Sequence, residues 1–321
     1  MLLSCVAPAA GYLLDILFGD PLGRCHPVAL MGRLIGFLEK GFRRLLPKTK
    51  SGEIAAGALV FVLTAGLSWL IPFLLLRLCG RVSVWLRLAA ESFLCWQVLA
   101  ARGLADAGMQ VYSALESGDI VASREAVSRI VGRETAALDA YAVTRAAVET
   151  VAENTSDGVV APMLFMAVGG APLALLYKAV NTMDSMLGYV EPPYKNVGLV
   201  PARADDAANF IPARLSALLM LAAGALLHLD VKNGFRIFKR DRYKHASPNS
   251  AQTESVCAGL LGVRLAGDAV YHGVLHKKEF IGDPLRAIRH EDIRTACRLM
   301  YLTSFLSLLL CLSVRFLILR G

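Results

Sequence analysis

The sequence predicts an all-α fold: a multi-pass helical membrane protein with broken or re-entrant helices and amphipathic helices on the cytoplasmic side. Three observations predict it. Hydrophobic residues fill 55% of the 321 positions and charged residues only 19%, at a mean hydropathy of +0.51; soluble domains carry about 25% charge. Two stretches, 54–78 and 299–319, are apolar apart from Arg77 and Arg315, over the roughly 20 residues that cross a bilayer core. No stretch of any length alternates apolar and polar residues as a half-buried strand does.

Taken in order, apolar segments occupy 2–18, 54–78, 82–101, 159–180, 212–229 and 299–319. Were all six to cross, the polar motifs before 158 and after 180 would face opposite sides. One segment is therefore expected not to cross. Segment 159–180 is interrupted by Gly169-Gly170-Ala171-Pro172, a break that suits a discontinuous helix lining a cavity. The same glycines could instead open a helix whose N–H groups meet an anion.

The chain reads as a single integral membrane domain, 1–321, with a polar helical insertion at about 102–157 and a basic cytoplasmic segment at about 230–298. Within the insertion, Ser117-Gly118-Asp119 makes a turn. Ser123 is placed to cap a helix carrying Ala126, Val127, Ile130 and Val131, Gly132-Arg133 breaks it, and a second helix runs from about 135 to 154.

The net charge is +8, and basic residues crowd 33–50 and 232–244. The positive-inside rule puts both runs in the cytoplasm, the chain in the inner or plasma membrane, and the active site on the cytoplasmic face. Neither run interleaves aromatics as a base-stacking platform does, so a nucleic-acid partner is not expected; the charge instead attracts anionic substrates. The seven cysteines are scattered without a CxxC pair, which implies neither a disulfide framework nor a zinc site.

Polar chemistry concentrates beside the apolar segments. Arg145, Glu149, Glu153 and Asp157 recur every fourth residue, a stripe that drifts about 40° per step round a helix, with Asn154 beside it. An Arg145–Glu149 ion pair accounts for Glu149. Glu153 and Asp157 have no Lys or Arg four residues further on, and hard-oxygen metal binding is the sharper reading for them. A second cluster holds Lys178, Asn181 and Asp184; a third holds Arg203, Asp205, Asp206, Asn209 and Arg214. Adjacent acids with amides and cations are the groups that phosphoryl transfer needs, with a metal between oxygens and cations on the developing charge. No G-x-x-x-x-G-K-[ST] occurs, so no P-loop is expected. His272 and His276 are four apart without the Glu of a zincin and read as a surface pair. A turn explains the glycine and proline near His26-Pro27 but not the histidine.

In order, the motifs are Asp15-x-x-x-Gly19-Asp20-Pro21 with His26-Pro27-Val28, then Gly132-Arg133-Glu134-Thr135, Glu149-x-x-x-Glu153-Asn154 with Asp157-Gly158, Tyr177-Lys178-x-x-Asn181-x-x-Asp184-Ser185, Asp205-Asp206 with Asn209 and Arg214, and Ser247-Pro248-Asn249. This order resembles the adenosylcobinamide-phosphate synthase family, multi-pass membrane enzymes of late cobalamin biosynthesis, over about residues 11–285. The sequence departs from the family pattern where Tyr-Lys-Asn after Gly188 reads Tyr189-Val190-Glu191, and where the Gly and Pro after Ser-Pro-Asn are Ala251 and Thr253. The resemblance implies ATP- and Mg2+-dependent amide synthesis. A propionate of a corrinoid, adenosylcobyric acid, is activated as an acyl phosphate and joined to 1-aminopropan-2-ol or its O-phosphate. It also implies lipid and other late cobalamin-pathway membrane enzymes as neighbours. On this reading Glu149, Glu153, Asn154 and His26 are catalytic. Arg133, Lys178, Asn181, Arg203, Asn209, Arg214, Ser247 and Asn249 bind the cofactor, and Glu153, Asp157, Asp184, Asp205 and Asp206 bind metal. A magnesium-dependent membrane prenyltransferase, and a transporter with discontinuous helices, are the alternatives that the acid clusters and the Gly-Gly break keep open.

Overall fold

The computed structural model describes residues 2–189, 191–271 and 274–318; Val190, His272 and Leu319 of the readings above lie outside the described residues. Among the described residues the helices are α1 (Leu2–Phe18), α2 (Pro27–Leu45), α3 (Lys50–Val82), α4 (Val84–Trp96), α5 (Ala101–Glu116), α6 (Ile120–Ser128), α7 (Ala140–Thr155), α8 (Ala161–Leu187), α9 (Leu199–Leu226), α10 (Val231–Asp241), α11 (Ser250–Leu261) and α12 (Glu291–Ile318). Four strands of two or three residues, β1 (Leu265–Ala266), β2 (Ala269–Tyr271), β3 (Val274–His276) and β4 (Phe280–Ile281), form the antiparallel pairs β1–β4 and β2–β3. The all-α expectation holds, and five helical stretches are long and apolar enough to cross a membrane: Lys50–Val82, Val84–Glu116, Ala140–Leu187, Leu199–Leu226 and Glu291–Ile318. Segment 2–18 falls short of that length.

Contacts divide the chain into two compact units, one of residues 1–100, 161–209 and 308–321, the other of 101–160 and 210–307. In the first unit the sequence motifs turn out to be helix punctuation. Gly19 has φ +61° and its N–H closes α1 onto the Asp15 carbonyl at 2.9 Å, the left-handed stop for which glycine is suited. Asp20 then accepts from the Leu22 N–H. His26 is the N-cap of α2: its Nδ1 accepts from the Val28 N–H at 3.2 Å, with Pro27 at the first helical position. That is the role the turn alone left unexplained. Ile35, Val60, Ala65, Val180, Met183 and Leu187 pack α2, α3 and α8 around one core.

The break anticipated in α8 occurs at Gly170, whose φ of 68° and ψ of −163° leave helical space. Only glycine adopts that region without strain. The interruption frees carbonyls of the preceding half-helix, and Arg315 donates to one of them, Met166 O, at 2.8 Å. The same guanidinium bonds Glu91 at 3.2 Å. Both side chains are buried, so two charges inside an apolar segment satisfy each other and a broken helix end.

In the second unit the helix limits differ from the reading. Asp119, not Ser123, caps α6, accepting from the Ala122 N–H at 2.9 Å, while Ser123 bonds back to the Asp119 carbonyl. Asp139 caps α7, which starts at Ala140 rather than near 135, because an Asp with a free helix N-terminus ahead of it supplies the better acceptor. Helix α7 passes into a π-helical turn, Ser156–Val160. Helix α11 is buried from Ala251 through Leu261, the mark of a core helix. It meets α10 closely, since a Cβ on Gly259 would lie 2.7 Å from Gly234 Cα. Asp241, at the end of α10, is fully buried. It pairs with Arg240 at 2.8 Å and Lys244 at 3.0 Å and accepts from the Gly282 N–H at 2.8 Å.

Candidate active site

The second unit contains a cavity of about 570 Å³, lined from α7 by Glu149, Thr150, Glu153 and Asn154, from the preceding loop by Arg133, from the 244–250 loop by Lys244, His245, Ser247 and Ser250, from α11 by Glu254, and from the strand segment by His276, Lys277, Lys278 and Glu279. Five of the residues singled out in the sequence therefore converge: Arg133, Glu149, Glu153, Asn154 and Ser247. Their positions follow from local structure. Successive turns of α7 bring Glu149 and Glu153 to one side, and the Ser247-Pro248-Asn249 turn, in which the Ser247 hydroxyl accepts from the Asn249 N–H at 3.3 Å, starts α11.

Glu149 is occupied at both oxygens. Arg133 donates to Oε2 at 3.0 Å, the Ala266 N–H donates to Oε1 at 2.7 Å, and Arg145 stands 3.7 Å from Oε1. It ties Arg133 and β1 to α7, which is a positioning role. Asn154 spends its amide N–H on the Thr150 carbonyl, which leaves its Oδ1 as the acceptor on offer. Asp157 lies in the π-helical turn and is not among the residues lining the cavity. A π turn adds a residue to the helical repeat, so the every-fourth-residue stripe ends at Glu153.

Glu254 and His245 were not visible as site residues in the sequence, yet their polar tips meet in the cavity at 3.6 Å. Burial, then the neighbouring Glu153 and Glu149, push the Glu254 carboxyl well above the usual range, against Lys278 and Arg133. Burial and then the Lys278 charge bring His245 down to about 4. The available signal was compositional: Glu254 is the lone charge in a helix otherwise made of small, neutral and apolar residues, and such a charge is costly unless used.

The remaining candidates lie elsewhere. Arg214, also in the second unit, stacks on Phe210 at 3.6 Å and donates to the Phe210 carbonyl and to Asn249 Oδ1. In the first unit, the Tyr177 hydroxyl donates to Asn209 at 2.8 Å, and Asn209 and Asn181 donate to the two oxygens of Asp205 at 3.0 and 3.3 Å. Lys178, Asp184, Arg203 and Asp206 belong to the same unit, with Arg203 exposed. His26, also there, is held below its ordinary value by burial and then by Lys178, against the pull of Asp20. Among the described residues, the grouping of three His, Cys or acid ligands that comes within metal-binding reach is Glu116, His290 and Glu291, not the acids read as metal ligands. In the first unit as well, Asn196 of Tyr194-Lys195-Asn196 donates to Glu53 at 2.7 Å.

The comparisons with known proteins agree along the whole chain. The family described as CobD/Cbib protein matches residues 8–300. A cobalamin biosynthesis protein CobD of Citrobacter koseri is 44% identical over 313 residues, 98% of each chain. A cobalamin biosynthesis protein CbiB of Salmonella typhimurium is 43% identical over 313 residues, again 98% of each. A CobD of Clostridium perfringens is 41% identical over 305 residues, 95% of this chain and 96% of its own. No solved structure matches. With a family match from residue 8 to 300 and relatives above 40% identity over nearly full length, this chain belongs to the CobD/CbiB family.

Proposed function

We propose that the protein acts in cobalamin biosynthesis and joins a carboxylate of adenosylcobyric acid to the amine of 1-aminopropan-2-ol or its O-phosphate, with ATP and Mg2+. The relatives' printed role in cobalamin biosynthesis supports the pathway. The observation that carries the reaction class is the cavity of the second unit, which sets the carboxylates Glu149, Glu153 and Glu254 among the cations Arg133, Lys244, Lys277 and Lys278. A lining of both signs suits a reaction between an amine and a phosphate-activated acid.

The donor chemistry fits magnesium. Glu153 is a hard-oxygen donor in the lining, and basic groups for phosphate line the same cavity. Magnesium, when bound, supplies charge neutralisation and orientation at phosphate oxygens. Glu153 is the residue proposed to hold it, and Arg133 and Lys277 are proposed to hold phosphate oxygens. Glu149 keeps Arg133 in place. The first-unit acids Asp184, Asp205 and Asp206, with the amides Asn181 and Asn209, are a second set of hard-oxygen donors, and Lys178 is a cation of the same unit. Amides engage both oxygens of Asp205.

The test is direct. Detergent-purified protein is incubated with adenosylcobyric acid, ATP, Mg2+ and 1-aminopropan-2-ol O-phosphate, and the corrinoid is read by mass. The amide product is expected only when ATP and Mg2+ are both present. Turnover of a prenyl diphosphate without ATP would transfer the site to the prenyltransferase reading.

A further inference from the structure

The reading above leaves Glu254 without a task. It is 3% exposed, it lines the cavity, and its Oε2 has no hydrogen-bond partner. His245 Nε2, buried and likewise unpartnered, stands 3.6 Å away, too far for a hydrogen bond. Two buried polar atoms facing one space, neither of them hydrogen-bonded, are costly. Their pairing points to a donor brought by a ligand.

The chemistry of the donor can be narrowed. A divalent metal needs several ligands, and no third His, Cys or acid atom closes on this pair within metal-binding reach among the described residues. A primary ammonium carries three N–H donors. A nitrogen about 2.9 Å from each acceptor bridges atoms 3.6 Å apart. The Asn154 Oδ1 is on offer for the third hydrogen, since that amide's N–H is committed to Thr150. Elsewhere in the lining, Arg133, Lys277 and Lys278 supply positive charge. A ligand matching both ends is a short primary amine that also carries an anionic group.

We propose that Glu254 and His245 seat the ammonium of that amine, and that the Glu254 carboxylate removes its proton before attack. The proposal rests on the amide-forming reaction above and names the amine's place in it. In the step, one N–H bond of the ammonium breaks and its electron pair stays on nitrogen as the nucleophile. The proton passes to Glu254 Oε2, giving a neutral carboxyl. Burial favours that neutral form, and Glu153 and Glu149 from α7 favour it further, while Lys278 and Arg133 oppose it. His245 is uncharged, held down by burial and Lys278, and serves as an acceptor without repelling the ammonium. Lys244, His276, Lys277 and Glu279 are the other titratable groups in the lining.

Two measurements decide it. In the first, calorimetry on the wild-type protein compares 1-aminopropan-2-ol O-phosphate with propan-2-yl phosphate, which lacks the amine. The amine is expected to bind at least roughly tenfold more tightly, as hydrogen bonds to a charged group imply. Equal binding overturns the seat whatever the variants do. In the second, steady-state amide synthesis is measured for wild type, Glu254→Gln and His245→Asn. Glu254→Gln should raise the KM for the amine roughly 10- to 100-fold, lower kcat by about two to four decades and leave the KM for ATP unchanged; an unchanged amine KM overturns the seat and an unchanged kcat overturns the base, while His245→Asn should raise the amine KM with the smaller loss in kcat. If the wild type forms no amide but binds the amine preferentially, the proposed reaction fails and the ammonium seat stands.

Discussion

Replacing Arg315 by Met tests the account of the broken helix. The substitution keeps a long apolar stem but removes the cation, leaving the Glu91 carboxylate, 7% exposed, without its ion pair. It also removes the donor to the Met166 carbonyl. Breaking one side of a buried pair costs roughly 3–5 kcal/mol, of which an orphaned carbonyl accounts for about 1–3 kcal/mol. About 4 kcal/mol is close to three decades in the folded-to-unfolded ratio. Glu91→Gln should cost nearly as much, because it leaves the guanidinium uncompensated. The double variant should be milder than either single, since replacing both charges of a buried pair is often neutral and only the helix-end carbonyl stays unpaired. Fluorescence-detected size exclusion after a heating series, in one detergent, gives the midpoints. A double variant as damaged as the sum of the singles would refute the reasoning, and so would an Arg315→Met protein with a wild-type midpoint.

Gly170→Ala should lower the same midpoint by more than Gly169→Ala. A methyl at either position is crowded, 2.8 Å from Glu91 Oε1 at 170 and 2.6 Å from Leu173 Cβ at 169, but Gly170 alone of the two has a backbone in the left-handed range, where a side chain is strained. Asp241 is pushed up by burial but pulled down further by Arg240, the Gly282 N–H and Lys244, to about 2 against an ordinary 3.8. Its folded pKa is depressed, so its contribution, about 2 kcal/mol, is present above pH 3.8 and lost as pH falls towards 2. Urea midpoints between pH 5 and 2.5 should show that slope in the wild type and not in Asp241→Asn. Glu153→Gln should cut amide formation by roughly two to three decades with an unchanged thermal midpoint. Asp157→Asn, off the cavity lining, should leave the rate near wild type. Glu149→Gln should lower the midpoint, because the amide keeps one acceptor oxygen where Arg133 and the Ala266 N–H use two.

The architecture was legible because its signals are long and redundant. An uncharged run such as 54–78 has few alternatives to a spanning helix, and Gly169-Gly170 beside Pro172 announces a break on backbone sterics alone. Capping was less legible. Ser123 and Asp119 are both competent N-caps four residues apart, and the choice between them depends on where the preceding turn releases the chain. The stripe that included Asp157 failed as a stripe because periodicity assumes an α repeat, and the π turn at 156–160 breaks it without a sequence marker. Glu149 and Glu153 look alike in the sequence and both line the cavity; only three dimensions show that Arg133 and a strand N–H engage the two oxygens of Glu149. His245 and Glu254 were missed because they come from a basic loop and a core helix that no local spacing connects. Of the motifs near the start, Gly19, Asp20 and His26 have structural work to do, which pattern matching does not separate from chemistry.

Asp241 has a consequence for how the chain is made. The run from Lys232 to Lys244 is a strongly basic stretch during synthesis, when a translocation machinery reads Lys and Arg and is nearly indifferent to acids. In the finished protein three of its six cations are ion-paired: Arg240 and Lys244 close on Asp241, and Arg236 and Arg240 reach Asp283. On the positive-inside expectation, Arg236, Arg240 and Lys244 would serve at two different times, first as part of an address that orients the nascent polypeptide and later as struts that fasten α10 to the segment around Gly282. The two duties can be separated. Asp241→Asn should leave the orientation of the inserted chain intact while weakening the folded unit, and neutralising Lys232, which has no ion pair among the described residues, should weaken orientation and spare the fold.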